Sequence, residues 1–135
     1  MSESEWEYMA RAGSTTEYPW GDEIDSSKAK YDSGDGSGES TVPVGSYSAN
    51  AFGVYDTVGN VEEWVEDCIH GTYKDAPIDG SAWLNASGGD CEERVLRGGS
   101  WASKPVELRS AYRFSNVATY RSSIYGFRIA RTLSQ

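Results

Sequence analysis

The run Arg94-Val-Leu-Arg-Gly-Gly-Ser-Trp101 limits what this chain can fold into more than any other stretch. Val95 and the later pair Phe127 and Ile129 place apolar residues at period 2 among arginines and small residues, which is the pattern of strands. Gly98-Gly99 ends the first strand where the backbone must bend or come close to another group. Three framed blocks, 94–101, 108–113 and 126–131, enclose two segments, 102–106 and 114–125, that keep no sustained period. Those two are expected to be loops or very irregular strands.

A chain of 135 residues reads as one domain and can bury roughly two-thirds of its unfolded surface without disulfides. Only 38% of it is hydrophobic, yet it holds 5 Trp, 9 Tyr and 15 Gly, so the core must rest on a few large aromatic anchors joined by many turns. That composition predicts a loop-rich α+β domain. Cys68 and Cys91 could form one bridge, but no sequence rule puts them within bonding distance, and zinc spacings are absent. No apolar run of about 18 residues and no signal-peptide pattern occurs, so the chain as given is expected to be soluble and without a membrane span. Its expected location is cytoplasmic or surface-displayed as part of a longer protein.

The net charge of −9 is unevenly spread: residues 1–93 hold 20 acids and 4 bases, residues 94–135 hold 1 acid and 8 bases. The arginines stand singly inside strand patterns. They are expected to pair with the acidic first part rather than to form a phosphate footprint, so nucleic acid is not an expected partner.

Ser2-Glu-Ser-Glu5 and Ser4-Glu-Trp-Glu7 both have capping-box spacing, and Trp6, Met9 and Ala10 share one face of a short helix ending at Gly13. A chain that opens on a helix cap looks cut from something longer. Asp32 to Ser40 is a polar, glycine-rich loop whose Gly34 and Gly36 stand where a calcium loop needs oxygen ligands. The stretch 41–45 is expected to be a short edge strand, since Pro43 cannot donate to a ladder.

The second informative block is Asp56-Thr-Val-Gly-Asn-Val-Glu-Glu-Trp-Val-Glu-Asp67. Asp56 and Glu63 flank a glycine turn whose carbonyls, such as those of Gly59 and Val61, could complete an oxygen cage for Ca²⁺. Equally, Asp56 could close a turn while Asn60 and Glu63 form a capping box. Trp64 and Val65 are expected in the core. From His70 to Asp90 a long surface excursion is pinned by Trp83 and Leu84.

His70 is the sole histidine, and no nucleophile elbow, phosphate-binding loop or dinucleotide fingerprint occurs. Ser27-Lys-Ala-Lys30 matches a serine-nucleophile spacing by accident, without companion motifs. No catalytic residue is assigned.

Five blocks in order resemble the formylglycine-generating enzyme (sulfatase-modifying factor) family: Glu5-Trp-Glu-Tyr-Met-Ala-Arg-Ala-Gly13, Tyr18-Pro-Trp-Gly-Asp22, Asn50-Ala-Phe-Gly-Val-Tyr55 with Val58-Gly-Asn-Val-Glu-Glu-Trp64, Arg94 to Trp101, and Leu108-Arg-Ser-Ala-Tyr-Arg113 with Gly126-Phe-Arg128. The resemblance spans nearly all of residues 1–135 and implies a single domain with a C-type-lectin-like fold, lacking the family's usual N-terminal part. It implies Ca²⁺ at Asp56, Gly59, Val61 and Glu63. A second family calcium site uses an asparagine where this chain has Lys30. Catalytic members hold copper with two cysteines whose counterparts here are Ser103 and Leu108, and neither offers a thiolate to Cu(I). No copper is therefore expected.

One branch with this fold comprises variable proteins diversified by retroelements, whose C-terminal segment is rewritten at adenines within a fixed frame. This chain is similar, with the frame intact and Ala102, Ser103, Tyr112, Phe114, Ser115, Asn116, Tyr120, Ser122, Ser123 and Ile124 at the variable places. With Trp101, they have the composition of an adaptable binding surface: rigid aromatic area beside small hydrogen-bonding groups. The expectation is a non-catalytic module that binds a protein or small ligand on the 101–125 face. The alternatives are an oxygenase of the family, or a degenerate or truncated relative of one, and a structural or regulatory domain.

Overall fold

The computed structural model describes residues 1–34 and 39–131. The centre of the glycine-rich loop, residues 35–38, lies outside the described residues.

Helix α1 (Glu3–Arg11) begins with the expected capping box: Ser2 Oγ accepts from Glu5 N at 3.1 Å and Glu5 Oε2 accepts from Ser2 N at 2.9 Å. It ends at Ala12, which is left-handed at φ 48°, immediately before Gly13. The other regular elements are strands β1 (Glu62–Ile69), β2 (Asp90–Arg97), β3 (Arg113–Val117) and β4 (Tyr125–Phe127). They form one sheet in the order β3-β2-β1-β4, with β1 antiparallel to β2, β2 antiparallel to β3, and β4 parallel to β1. Short 3₁₀ turns lie at Ala86–Gly88 and Pro105–Leu108. This is the loop-rich α+β, C-type-lectin-like arrangement expected from the composition and the motifs.

Strand alternation gives the sheet two different faces. On β1, Glu63, Val65 and Asp67 turn toward α1: Trp6 Nε1 donates to Glu63 Oε2 at 2.7 Å, and Glu3 N donates to Asp67 Oδ2 at 2.6 Å. Val65 and Val95 pack with Trp6 and Ala10 as the core beneath the helix. Truncating Trp6 to alanine there is expected to cost about 3–5 kcal/mol. A second cluster, Tyr18, Ala29, Tyr31, Val58 and Leu108, lies under the loops. Glu62 and Trp64 belong to the opposite face of β1, where the Trp64 ring meets Tyr125 edge-on at 5.4 Å.

The glycine pair after β2 does what its sequence implies. Gly98 and Gly99 have φ of 90° and 67°, and a Cβ on Gly99 would lie 2.6 Å from Leu108 Cδ2. The chain can thus turn sharply against Trp6 and Leu108 and lead residues 100–103 onto the far face.

Several sequence expectations change. Residues 114–117 are strand rather than loop, because β2 supplies a full antiparallel ladder from Glu93↔Val117 to Arg97↔Arg113. Residues 41–45 form no strand: the side chain of Asn60 satisfies Val42 instead, accepting from its N–H at 3.0 Å and donating to its carbonyl at 3.3 Å. Residues 62 and 63 open a strand, so Asn60 and Glu63 form no helix cap. Of the block 126–131 read as a strand, only the part up to Phe127 belongs to β4, leaving Ile129 outside it, while Trp64 is half-buried rather than core. The excursion 70–90 is held by Trp83, which stacks on His70 with centroids 3.6 Å apart, whereas Leu84 is exposed. Cys68 and Cys91 are joined by a disulfide between β1 and β2. Among the described residues, no helix is long and apolar enough to cross a membrane.

Candidate functional site

Three of the C-terminal arginines, Arg97, Arg113 and Arg128, pair with acids from the first part. Arg97, with a side chain fully buried, reaches Glu3 at 3.4 Å and Glu7, and its guanidinium lies 5.1 Å from the Trp6 ring centroid. Arg113 reaches Glu3 at 2.8 Å, and Arg128 reaches Glu63 at 2.6 Å. These ion pairs tie the frame together under the helix. They leave the far face of the sheet to carry the 101–125 segment.

On that face the sequence-expected residues divide into two groups. Ala102, Ser103, Tyr112, Phe114 and Ile124 come together around a cavity of about 230 Å³. Ser100, Glu62, Glu107 and Tyr125 complete its wall. Tyr120 and Ser122 line a second hollow of about 400 Å³, which shares Tyr125 with the first. The rings of Tyr120 and Tyr125 meet edge-on at 5.9 Å, and Asn116 Nδ2 donates to the Tyr125 hydroxyl at 3.0 Å. Tyr125 is thus the partition between the two hollows.

Other expected residues stand apart. Ser115 faces the helix side of β3 and donates to Glu93 Oε2 at 2.6 Å. Trp101 is half-buried, with its N–H on the Asn60 carbonyl at 2.9 Å. Ser123 is exposed and lines neither hollow. Ser103 is only 7% exposed; its Oγ accepts from Ser100 N at 3.0 Å and its carbonyl accepts from Asp32 N at 3.1 Å. It serves as the cavity's floor. Leu108, the other counterpart of the family's copper cysteines, is fully buried in the cluster under the loops.

Sequence reasoning missed Glu62 and Glu107. Burial, reinforced by the charge of Glu107, pushes the Glu62 carboxyl up from 4.5 to about 7. Burial also raises the phenols of Tyr112 and Tyr125, and the Glu62 charge adds to each shift. The available signal was the doublet Glu62-Glu63 at the start of a strand: two adjacent carboxylates must point to opposite faces. Only Glu63 finds an arginine, Arg128.

The metal expectation names Asp56, Gly59, Val61 and Glu63, which follow one another along the turn entering β1. Both Glu63 oxygens accept from Arg128, and Oε2 also accepts from Trp6. Asp56 Oδ2 accepts from Gly45 N at 2.7 Å, and its carbonyl oxygen from Arg128 Nη2 at 3.2 Å. Among the described residues, no group of three or more His, Cys, Asp or Glu side chains could hold a metal. Hard oxygen donors suit Ca²⁺ in kind. In place, Glu63 would share its carboxylate with a guanidinium, and the Asp56 carboxylate is committed to Gly45.

A family model described as sulfatase-modifying factor enzyme 1-like domain matches residues 1–133, so the chain belongs to that family. Its similarity to the serine/threonine-protein kinase Pkn1 of Chlamydia trachomatis is 42% identity over 96% of this chain and 20% of the kinase. The formylglycine-generating enzyme of Streptomyces coelicolor is 35% identical over 96% of this chain and 45% of the enzyme. Among solved structures, PvdO from Pseudomonas aeruginosa superposes with a TM-score of 0.83 at 40% identity, covering 94% of this chain and 49% of PvdO. Treponema denticola variable protein 1 superposes with a TM-score of 0.73 at 30% identity, covering 93% of this chain and 44% of that protein. The chain spans half or less of the length of each.

Proposed function

We propose that this domain is a non-catalytic ligand-binding module whose contact surface is the far face of the sheet, formed by residues 101–125. The observation that carries the reading is what stands where the family's copper thiolates belong. Ser103 is held among backbone groups and Leu108 is core, so no soft ligand faces the cavity. Around that position the surface is built of aromatic rings and small polar side chains on a rigid ladder, which suits recognition. The likeness to a variable protein supports the same use of the face, and the kinase relatives show this domain type within much longer chains. Formylglycine-generating relatives support the alternative of an oxygenase or a degenerate relative of one.

The decisive experiment incubates the protein with Cu(I), oxygen and a peptide carrying the sulfatase cysteine motif, and follows the peptide by mass spectrometry. The expected result is an unchanged peptide. Conversion of its cysteine to the aldehyde would overturn the non-catalytic reading. Diversification is a separate point: a reverse transcriptase gene and a near-copy of the codons for residues 101–128, with adenines at the variable places, are expected in neighbouring DNA. Their absence would remove diversification and leave plain binding.

A structural Ca²⁺ at the 56–63 turn is proposed with it. Its donors would be the carboxylates of Asp56 and Glu63 and the carbonyls of Gly59 and Val61, with Gly45 N competing for Asp56 and Arg128 for Glu63.

A further inference from the structure

The cavity on the binding face has a chemical bias that its aromatic rim alone does not reveal. Its deepest charged group is Glu62, on a residue only 6% exposed, and no hydrogen bond or ion pair to that carboxylate is made among the described residues. Every other acid on this sheet with comparable burial is engaged: Glu63 by Arg128 and Trp6, Asp67 by the N–H groups of Glu3 and Trp83. The cavity wall also holds a second carboxylate, Glu107, whose Oε2 accepts from Lys104 N at 2.7 Å. No lysine or arginine lines the cavity. A buried carboxylate with a like-charged neighbour and no donor is costly, and it attracts whatever cation can reach it.

The remaining wall selects among cations. Tyr112, Phe114 and Tyr125 surround the opening, and Ile124 and Ala102 add apolar surface. Aromatic faces stabilise an organic cation, and an apolar wall accepts a methylene stem. Among the described residues no group of three or more His, Cys, Asp or Glu side chains that could hold a metal ion occurs, and the Ser100 and Ser103 hydroxyls are already bonded to each other and to backbone N–H groups. The volume of about 230 Å³ admits the end of one side chain rather than a folded partner.

We propose that the cavity between Glu62 and Glu107 is a subsite for a primary alkylammonium group, such as the end of a lysine side chain, presented by the ligand of the 101–125 face. The proposal rests on that face being the binding surface and names the chemistry it selects. The ammonium donates to Glu62, a charge-assisted bond that the empty fold lacks, while its stem lies among Tyr112, Phe114 and Tyr125. The titratable groups facing Glu62 are Glu107, Tyr112 and Tyr125. Glu107, a second acidic side chain on the same wall, also favours a cation.

The probe is n-butylammonium, titrated into the protein and followed by amide chemical shifts, with n-butanol and butyrate as neutral and anionic controls of the same length. Saturable shifts are expected at Ala102, Tyr112, Phe114 and Ile124 for the ammonium alone. Glu62→Gln, which keeps the shape and removes the charge, should weaken binding about tenfold or more while the variant stays folded. Equal binding of butanol, equal binding by Glu62→Gln, or shifts spread evenly over the acidic surface would each overturn the proposal. None of these outcomes bears on the copper and peptide experiment, so failure here is distinguishable from failure of the binding-module reading.

Discussion

Arg97→Met removes the cation that joins helix α1 to the sheet while keeping an unbranched stem of similar length. In the parent, the fully buried guanidinium faces Glu3 and Glu7, donates to the carbonyl of Ser110 at 2.9 Å and to that of Tyr112, and lies over Trp6. Methionine keeps much of the packing against Trp6 and none of the donors. Glu3, 5% exposed, would retain only Arg113 and the Tyr73 hydroxyl, 3.0 Å away. Breaking a buried ion pair by removing one partner costs about 3–5 kcal/mol. For a domain of 135 residues, 1 kcal/mol corresponds to about 3–4 °C, so the midpoint should fall by about 10–18 °C. Thermal unfolding followed by circular dichroism measures it directly. High salt should change the difference little, because the pair is sheltered from screening. Arg97→Lys should lie between, having the charge without the fork. A fall of less than about 3 °C would refute the argument that this arginine holds the frame together.

Three other outcomes are expected. Because burial and Glu107 raise Glu62 from 4.5 to about 7, its ionisation opposes folding: the penalty is absent below the unfolded value, grows between the two, and is full above the higher one. Glu62→Gln should therefore match the parent at about pH 4 and be more stable by about 1–3 kcal/mol at about pH 8; parallel curves in urea titrations would contradict this. Cys68 and Cys91 are separated by 23 residues, so replacing both with alanine should lower stability by about 3 kcal/mol, and an unchanged urea midpoint would count against a formed bridge. Excess Ca²⁺ over chelator should raise the melting temperature of the parent and leave Glu63→Gln unmoved. No rise in the parent would remove the metal from the account.

The frame was legible because its signals are local. Ser2 and Glu5 specify a cap, Gly98-Gly99 specify a break, and isolated arginines within strands ask for acids elsewhere in the chain. Other features depend on partners far away in sequence. β3 is a strand because Glu93 to Arg97 offer it a ladder, not because 113–117 alternates apolar and polar residues. Val42 needs no strand partner because the Asn60 side chain reaches it across 18 residues. The eleven expected surface residues did not all converge, since Ser115 turns to Glu93 and Ser123 lines neither hollow. Glu62 escaped notice because adjacent glutamates read as one acidic patch until the strand assigns them to opposite sides of the sheet.

The division into a fixed frame and a replaceable face is the claim on which the functional reading stands, and a paired library tests it most directly. In one library Ala102, Phe114, Tyr120 and Ser123, all exposed on the face, are randomised; in the other Arg97, Gly98, Gly99 and Leu108, all buried in the frame, are randomised. Protease resistance of displayed protein reports the folded fraction. Most face variants are expected to stay folded, and nearly all frame variants are expected to be cleaved. Equal loss of folding in both libraries would contradict the account, because the face would then be core and not a surface for a ligand.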